Sequence, residues 1–236
     1  LLSQPMSMLV LADPGELAEA DAQALDHWIG RGGMAVRFAG PALARRTADA
    51  SPTAKPEPLL PVPLRAGDRV IGGAMSWRQP MALQKFSAKS PFAGLSVPAD
   101  VRVARQILAQ PAPDLAEKTW AALSDGTPLV TAERRGKGWL VLFHTSPNAE
   151  WSNLPLSGVF VEMMARLLTL GQGVDAIGNA PPLQPVQTLD AFAKAGDPPA
   201  GARAISVVDI ASKLPSPQNP PGIYGAADLR RAFNLS

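Results

Sequence analysis

The chain contains no cysteine and only two histidines, His27 and His144. Without cysteine it can form no disulfide, no thiolate metal site and no cysteine nucleophile. Two histidines are also too few for a histidine-rich metal cluster. The sequence therefore predicts no metal site and no bound cofactor.

Charged residues are scarce as well, at 18% against roughly 25% in an average soluble domain. The 22 Lys and Arg residues nearly balance the 20 Asp and Glu residues. The basic clusters, such as Arg45-Arg46 and Arg134-Arg135, are short and are not interleaved with the aromatic residues that nucleic-acid surfaces carry. Residues 154–170 form the most apolar helical stretch, and they include Glu162 and Arg166. We therefore predict no nucleic-acid partner and no direct membrane insertion.

Hydrophobic residues make up 46% of the chain, enough for a sizeable core, whereas 25 prolines disfavour an all-helical bundle. Met8–Ala12 is a short apolar run that predicts a strand buried on both faces. Residues 16–29 have helical apolar spacing, and residues 34–39 form a second apolar run. This strand, helix and strand predict a βαβ unit. The predicted fold class is α/β, with an open, mostly parallel sheet flanked by helices.

Further elements follow along the chain. Residues 127–133 and 139–145 flank Gly136-Lys137-Gly138 and predict a β-hairpin. A helix opens at Pro155, and its predicted apolar face is Leu156, Val159, Phe160, Met163, Leu167 and Leu168. Residues 69–77 and 100–108 predict strands within a β-rich insertion at about 60–125. Because the composition changes after Gly173, we predict an α/β domain over 1–175. Residues 176–236 are predicted to form an irregular, proline-rich tail with a short β-segment that packs on the domain.

Polar side chains follow two of the predicted strands. Asp13 follows the first strand, and His144 closes the hairpin strand and begins a polar loop that contains Trp151, Ser152 and Asn153. Open α/β sheets bind ligands at the carboxyl ends of their strands. We therefore predict that these five residues form a ligand-binding site, with Trp151 supplying apolar contact and the polar side chains directional hydrogen bonds. The alternative is that Trp151 is buried and Asn153 caps the following helix.

Motifs for covalent catalysis are missing. No G-x-S-x-G or G-x-C-x-G sequence occurs, although a nucleophile elbow needs that frame of small residues. Gly72-Gly73-Ala74-Met75-Ser76-Trp77 has no glycine after Ser76 and is interpreted as a strand with a glycine bulge. Gly136-Lys137-Gly138 precedes a strand rather than the helix of a phosphate loop, which indicates a hairpin turn. No residue is therefore predicted to be catalytic.

Several segments resemble known proteins. Leu9-Val10-Leu11, the helix at 16–29 and Gly32-Gly33-Met34-Ala35-Val36 resemble the edge of a class I glutamine amidotransferase-like domain, which implies a flavodoxin-like strand order. Segments 125–130, 136–138, 151–158 and 220–225 resemble bacterial inner-membrane proteins with an aerotolerance-regulator (Bat-like) amino-terminal region and a carboxyl-terminal domain of unknown function. This resemblance implies a soluble section of an inner-membrane protein on the periplasmic side. Its implied partners are another protein or other sections of the same membrane-anchored chain.

One departure from the amidotransferase pattern decides the functional prediction. Amidotransferases attack glutamine with a cysteine that a histidine activates, and this chain has no cysteine. We therefore predict a non-catalytic binding or scaffolding domain. Two alternatives stay open, namely a cryptic hydrolase that uses Ser or Asp with His144, and a module that binds envelope sugars through Trp77 and Trp151.

Overall fold

The computed structural model describes residues 6–50, 57–71, 79–171, 182–206, 209–210, 213–226 and 229–234. The chain divides into two compact units, one of Ser7–Gln172 and one of Gly173–Ser236 with Leu1–Met6. Within the described ranges, no helix combines the length and the apolar character needed to cross a bilayer.

The helices and strands of the larger unit, in chain order, are β1 (Met8–Ala12), α1 (Glu19–Gly30), β2 (Met34–Phe38), α2 (Pro41–Asp49), β3 (Arg69–Val70), β4 (Met81–Ala82), β5 (Arg102–Val103), β6 (Arg105–Gln106), α3 (Leu115–Lys118), β7 (Thr119–Ala122), β8 (Pro128–Arg135), β9 (Gly138–Phe143) and α4 (Gly158–Gly171). The smaller unit contains β10 (Gln184–Leu189), β11 (Ala195–Gly196), β12 (Gly222–Ala226) and β13 (Leu229–Phe233).

A five-stranded sheet with the order β1-β2-β9-β8-β7 forms the centre of the larger unit. The strands β1, β2 and β9 are parallel, whereas β8 and β7 are antiparallel to their neighbours. The α/β class and the βαβ unit are thus confirmed, and the sheet is mixed. The flavodoxin-like order, which has the first strand inside the sheet, is not confirmed, because β2 lies between β1 and β9.

The edge position of β1 corrects its predicted burial on both faces. Val10 is 44% exposed, whereas β2 is buried along its whole length. An apolar run looks the same at an edge and at the centre of a sheet, and only the neighbouring elements decide which residues lose contact with water.

The hairpin of β8 and β9 is confirmed, and it packs against the end of α1. Gly136 has a φ of +57°, which favours glycine. A Cβ atom on Gly138 would collide with the carbonyl oxygens of Ile29 and Gly33. The amide of Trp139 donates to that Gly33 carbonyl at 3.1 Å. The glycines after α1 and those of the hairpin therefore allow two turns to lie close together.

The helix α4 covers one face of the sheet. Its buried residues Val159, Met163 and Leu167 belong to a core cluster with Phe38 and Phe143, whose rings stack 4.6 Å apart. Two residues of the predicted apolar face are exposed, Leu156 by 84% and Leu168 by 41%. Leu156 lies in a 3-10 turn before the helix, which begins at Gly158, so the predicted start at Pro155 placed it on the wrong face.

The insertion is less regular than predicted. Two antiparallel pairs, β3 with β6 and β4 with β5, have only two residues in each strand. Part of the predicted strand at 69–77, with Ser76 and Trp77, lies outside the described residues. The helix α2 was not predicted, although Pro41 stands at its first turn, where proline is favoured.

The smaller unit corrects the prediction of an irregular tail. Its strands form an antiparallel sheet with the order β11-β10-β12-β13. Leu183, Ile205, Tyr224 and Phe233 form a small core below it, and the Tyr224 hydroxyl donates to the Pro220 carbonyl at 2.8 Å. The pairing of β10 with β12 joins residues more than thirty positions apart, and local composition does not reveal such pairing. The predicted packing of this segment on the larger unit stays a prediction.

Candidate functional site

His144 follows β9 and is fully buried. Its Nδ1 atom lies 2.8 Å from the carbonyl oxygen of Ile107, which can only accept, so Nδ1 carries the proton and donates it. Its Nε2 atom then accepts a hydrogen bond from the hydroxyl group of Thr131, on β8, over 2.9 Å. Both ring nitrogens are therefore occupied by groups of the protein.

Burial lowers the pKa of His144 from 6.5 to about 4, and the hydrogen bond with Ile107 opposes this effect only in part. The ring is consequently neutral at pH 7. A general base needs a ring nitrogen within hydrogen-bond reach of a substrate proton, and neither nitrogen of His144 is accessible. The residue instead joins the end of β9 to β8 and to the insertion.

Trp151 is 1% exposed and packs in a cluster with Leu43 of α2 and Leu142 of β9. The guanidinium carbon of Arg105 lies 5.3 Å from the centre of the indole ring, a cation–π distance. The indole Nε1 atom is buried and has no hydrogen-bond partner among the described residues. The structure therefore supports the alternative in which Trp151 is a core residue.

Ser152 and Asn153 bind the backbone of the insertion around β5. The Ser152 hydroxyl donates to the Arg102 carbonyl at 3.0 Å and accepts from the amide of Leu154 at 2.9 Å. The Asn153 Oδ1 atom accepts from the Arg102 amide at 2.6 Å, and its Nδ2 atom donates to the Asp100 carbonyl at 3.0 Å. The predicted capping of the next helix by Asn153 is wrong, because its side chain makes no capping hydrogen bond there.

Asp13 follows β1 with a φ of +49°. Its carboxylate accepts hydrogen bonds from the amides of Ala42, at 2.8 Å, and Leu43, at 3.0 Å. These amides lie in the first turn of α2, so Asp13 caps that helix and places a negative charge at the positive end of its dipole. None of these contacts joins Asp13 to the other four residues of the predicted site.

An ion cluster that the sequence analysis missed lies beside α2. Arg37, on β2, is fully buried and its Nη2 atom donates to Glu57 at 2.6 Å. Arg46 makes two further hydrogen bonds to the same carboxylate, of 2.9 and 3.1 Å. Burial tends to raise the pKa of Glu57, but the hydrogen bonds and charges of Arg46 and Arg37 outweigh it and hold this pKa below its usual value. The available signal was an arginine inside the apolar run at 34–39.

Within the described ranges, the His, Asp and Glu residues nowhere gather in a group of three that could hold a metal ion. The residues of the predicted site are packed against or hydrogen-bonded to other parts of the protein, and the carboxylate of the ion cluster is fully engaged by Arg37 and Arg46. The described part of the larger unit also contains an open cleft.

This cleft has a volume of about 520 Å³ and lies beside β7. It is lined by three stretches of chain, namely residues 84–87, the strand β7 and four residues before and within α3 (Pro111, Ala112, Leu115 and Ala116), together with Gly126 and Pro128. Phe86 and Trp120 contribute aromatic surface, and both belong to the core cluster below α4. The cleft therefore has firm apolar walls that the fold already holds in place.

Comparison with known proteins found similar solved structures but no matching family. No protein-family model matches it, and the comparison with curated proteins gives no match. Among solved structures, the cytoplasmic protein STM3548 from Salmonella typhimurium is similar with a TM-score of 0.52 and 12% identity, over 69% of this chain and 70% of that protein. The cytoplasmic protein STM1381 from Salmonella typhimurium LT2 has a TM-score of 0.48 and 12% identity, over 69% and 71% of the two chains. The first similarity shows a shared fold and carries no information on activity.

Proposed function

We propose that this chain is a non-catalytic binding domain and that the cleft beside β7 receives its partner. The amidotransferase-like ancestry, the inner-membrane anchoring and the periplasmic location belong to this proposal and rest on the sequence resemblance described above. The partner in this proposal is a protein or another section of the same membrane-anchored chain.

The non-catalytic part is supported by the lack of a cysteine nucleophile and by the burial of His144. There is no cysteine, and both ring nitrogens of His144 are bound inside the protein. The hydrolase alternative requires His144 to reach a substrate, and the sugar-binding alternative requires exposed ring faces at Trp151 and at Trp77, which lies outside the described residues. His144 and Trp151 are buried, so neither alternative gains support from these two residues.

The binding part is supported by the cleft, which is the observation that carries the proposal. Ligand sites are concave, mostly apolar and largely formed before the ligand arrives. The cleft beside β7 combines aromatic surface from Phe86 and Trp120 with polar groups of Gln84, Ser87 and Thr119.

The catalytic question is tested by measuring ammonia release from glutamine by the purified protein. We expect the rate to equal that of a sample without protein. A measurable rate that is lost in His144→Gln would contradict the non-catalytic assignment.

The cleft is tested by site-specific photo-cross-linking in cells that produce the full protein. A photoreactive phenylalanine derivative placed at the exposed rim residue Ser87 should give adducts, and the same group at the exposed Thr169 of α4 should not. Ala116→Trp, which fills the cleft from α3, should abolish the Ser87 adducts. Equal adducts at both positions, or none at Ser87, would rule out the cleft as the binding surface.

A further inference from the structure

We infer that the cleft beside β7 binds a short, extended, acidic peptide segment by adding it as a strand to the edge of the five-stranded sheet. This inference rests on the proposed function and names the chemistry of the partner. Three observations carry it, and they concern the edge strand, the apolar walls and the charge of the cleft.

The edge strand β7 already begins to pair with another segment of the chain and then stops. Leu83 and Leu123 form an isolated antiparallel bridge. The amide of Gln84 donates to the Ala122 carbonyl at 2.8 Å, and the amide of Ser124 donates to the Ala82 carbonyl at 2.9 Å. Among the described residues no further backbone hydrogen bond joins residues 84–87 to β7. The cleft opens where this pairing ends.

An added strand would continue that interrupted pairing along Thr119–Ala121. Edge strands present backbone donors and acceptors that accept an extended segment. The pairing of β7 with β8 contains register shifts on both sides of Ala121, and bulges increase the local twist of a strand. A twisted edge suits a segment of a few residues rather than a long partner strand.

The composition of the cleft specifies the side chains of that segment. Successive residues of an extended peptide point to opposite faces, so alternate apolar residues can contact Phe86, Leu115 and Trp120, which line the cleft. Lys85 is exposed and is the one charged residue among the described residues that line it. An acidic side chain on the partner is the group that complements this charge.

The probe is an eight-residue peptide in which Glu and Val alternate, added to the full chain labelled with nitrogen-15. We expect its binding to shift the amide signals of residues 84–87 and 119–122. The same peptide with Lys in place of Glu should bind about fivefold more weakly, as expected for an exposed charge pair. The Glu peptide methylated on its four central backbone nitrogens should lose at least about tenfold in affinity, because it cannot donate strand hydrogen bonds.

Charge reversal gives the matched protein control. Lys85→Glu should reverse the preference in favour of the Lys peptide, whereas Lys194→Glu, the same change at an exposed residue of the smaller unit, should leave the preference as it was. Both variants should keep the melting temperature of the parent, because both side chains are exposed.

Several outcomes would overturn the inference. Equal binding of the methylated peptide would exclude strand addition, and an unchanged preference in Lys85→Glu would exclude the role of this charge. Shifts of the same amides by cellohexaose would assign the cleft to carbohydrates, and shifts that grow with protein concentration alone would assign it to a second copy of the chain. If no peptide binds but Ser87 still forms adducts, the binding cleft stands and strand addition is wrong. If no peptide binds and Ser87 forms no adducts, the proposed function is wrong as well.

Discussion

The hydroxyl oxygen of Thr131 lies 2.9 Å from Nε2 of His144, and the Nδ1 atom on the other side of the same buried ring donates to the Ile107 carbonyl at 2.8 Å. Burial of the ring lowers its pKa to about 4 and so keeps it neutral at pH 7, and a protonated Nε2 would require the Thr131 hydroxyl to rotate and accept instead of donate. The buried imidazole therefore links the stability of the fold to pH, and the partners on both ring nitrogens exclude His144 from proton transfer to a ligand.

Acidification should destabilise the protein through His144. Its pKa is about 4 in the folded protein and 6.5 in the unfolded chain, so the unfolded state binds more protons between these values. The free energy of unfolding should then fall by about 1.4 kcal/mol from this group as the pH drops from 7.5 to 5.5. Urea unfolding at both pH values measures this change in the free energy of unfolding.

Two histidine variants provide the test and its control. His144→Gln should flatten the pH dependence, and His27→Gln, at an exposed position of α1, should not. If His144→Gln keeps the pH dependence of the parent, the effect does not come from His144.

Trp151→Ala should cost about 3–5 kcal/mol of folding free energy, because it empties a buried position between α2 and β9. Trp151→Phe should cost less than half as much, since it keeps an aromatic ring below Arg105 and removes an indole donor without a partner among the described residues. Chemical denaturation measures both variants. A stable Trp151→Ala protein would show that the residue is a surface group.

Asp13→Ala should lower the free energy of unfolding by about 1–2 kcal/mol. The change removes both hydrogen bonds to the first turn of α2 and places alanine at a positive φ. Asp13→Asn keeps one acceptor and tolerates this backbone conformation, so its loss should be clearly smaller. Equal losses in the two variants would argue against the capping role.

Glu57→Gln should destabilise the protein by about 3 kcal/mol, because it leaves the buried guanidinium of Arg37 without its negative partner. The same substitution at the exposed Glu150 serves as the control. The double variant Arg37→Met with Glu57→Gln should recover most of the lost stability, since no buried charge then remains. If the single variant is as stable as the parent, the ion pair has no structural role.

The elements with strong local patterns were predictable. The βαβ unit followed from two apolar runs around a helical spacing, and the hairpin followed from alternating residues on both sides of Gly136-Lys137-Gly138. The short strands β3 to β6 were not delimited correctly, because two residues of pairing carry no period. The helix α2 has low mean hydropathy and follows directly after a buried strand, so its residues resembled a loop.

The candidate site was likewise predictable only in part. The chain alone established that no thiol chemistry is possible and predicted that Asp13 and His144 follow strands, whereas only the fold showed that these strands are parallel. The structure shows that Thr131 and Ile107 occupy the ring nitrogens of His144, and that the amides of Ala42 and Leu43 occupy the carboxylate of Asp13. Long-range packing brings these partners together. The cleft beside β7 had no signal in the sequence, because its three linings come from separate stretches of chain that only the folded sheet brings together. Local patterns determine which residues form strands and helices. Whether a side chain is exposed, and which groups it contacts, depends on which surfaces the tertiary structure covers.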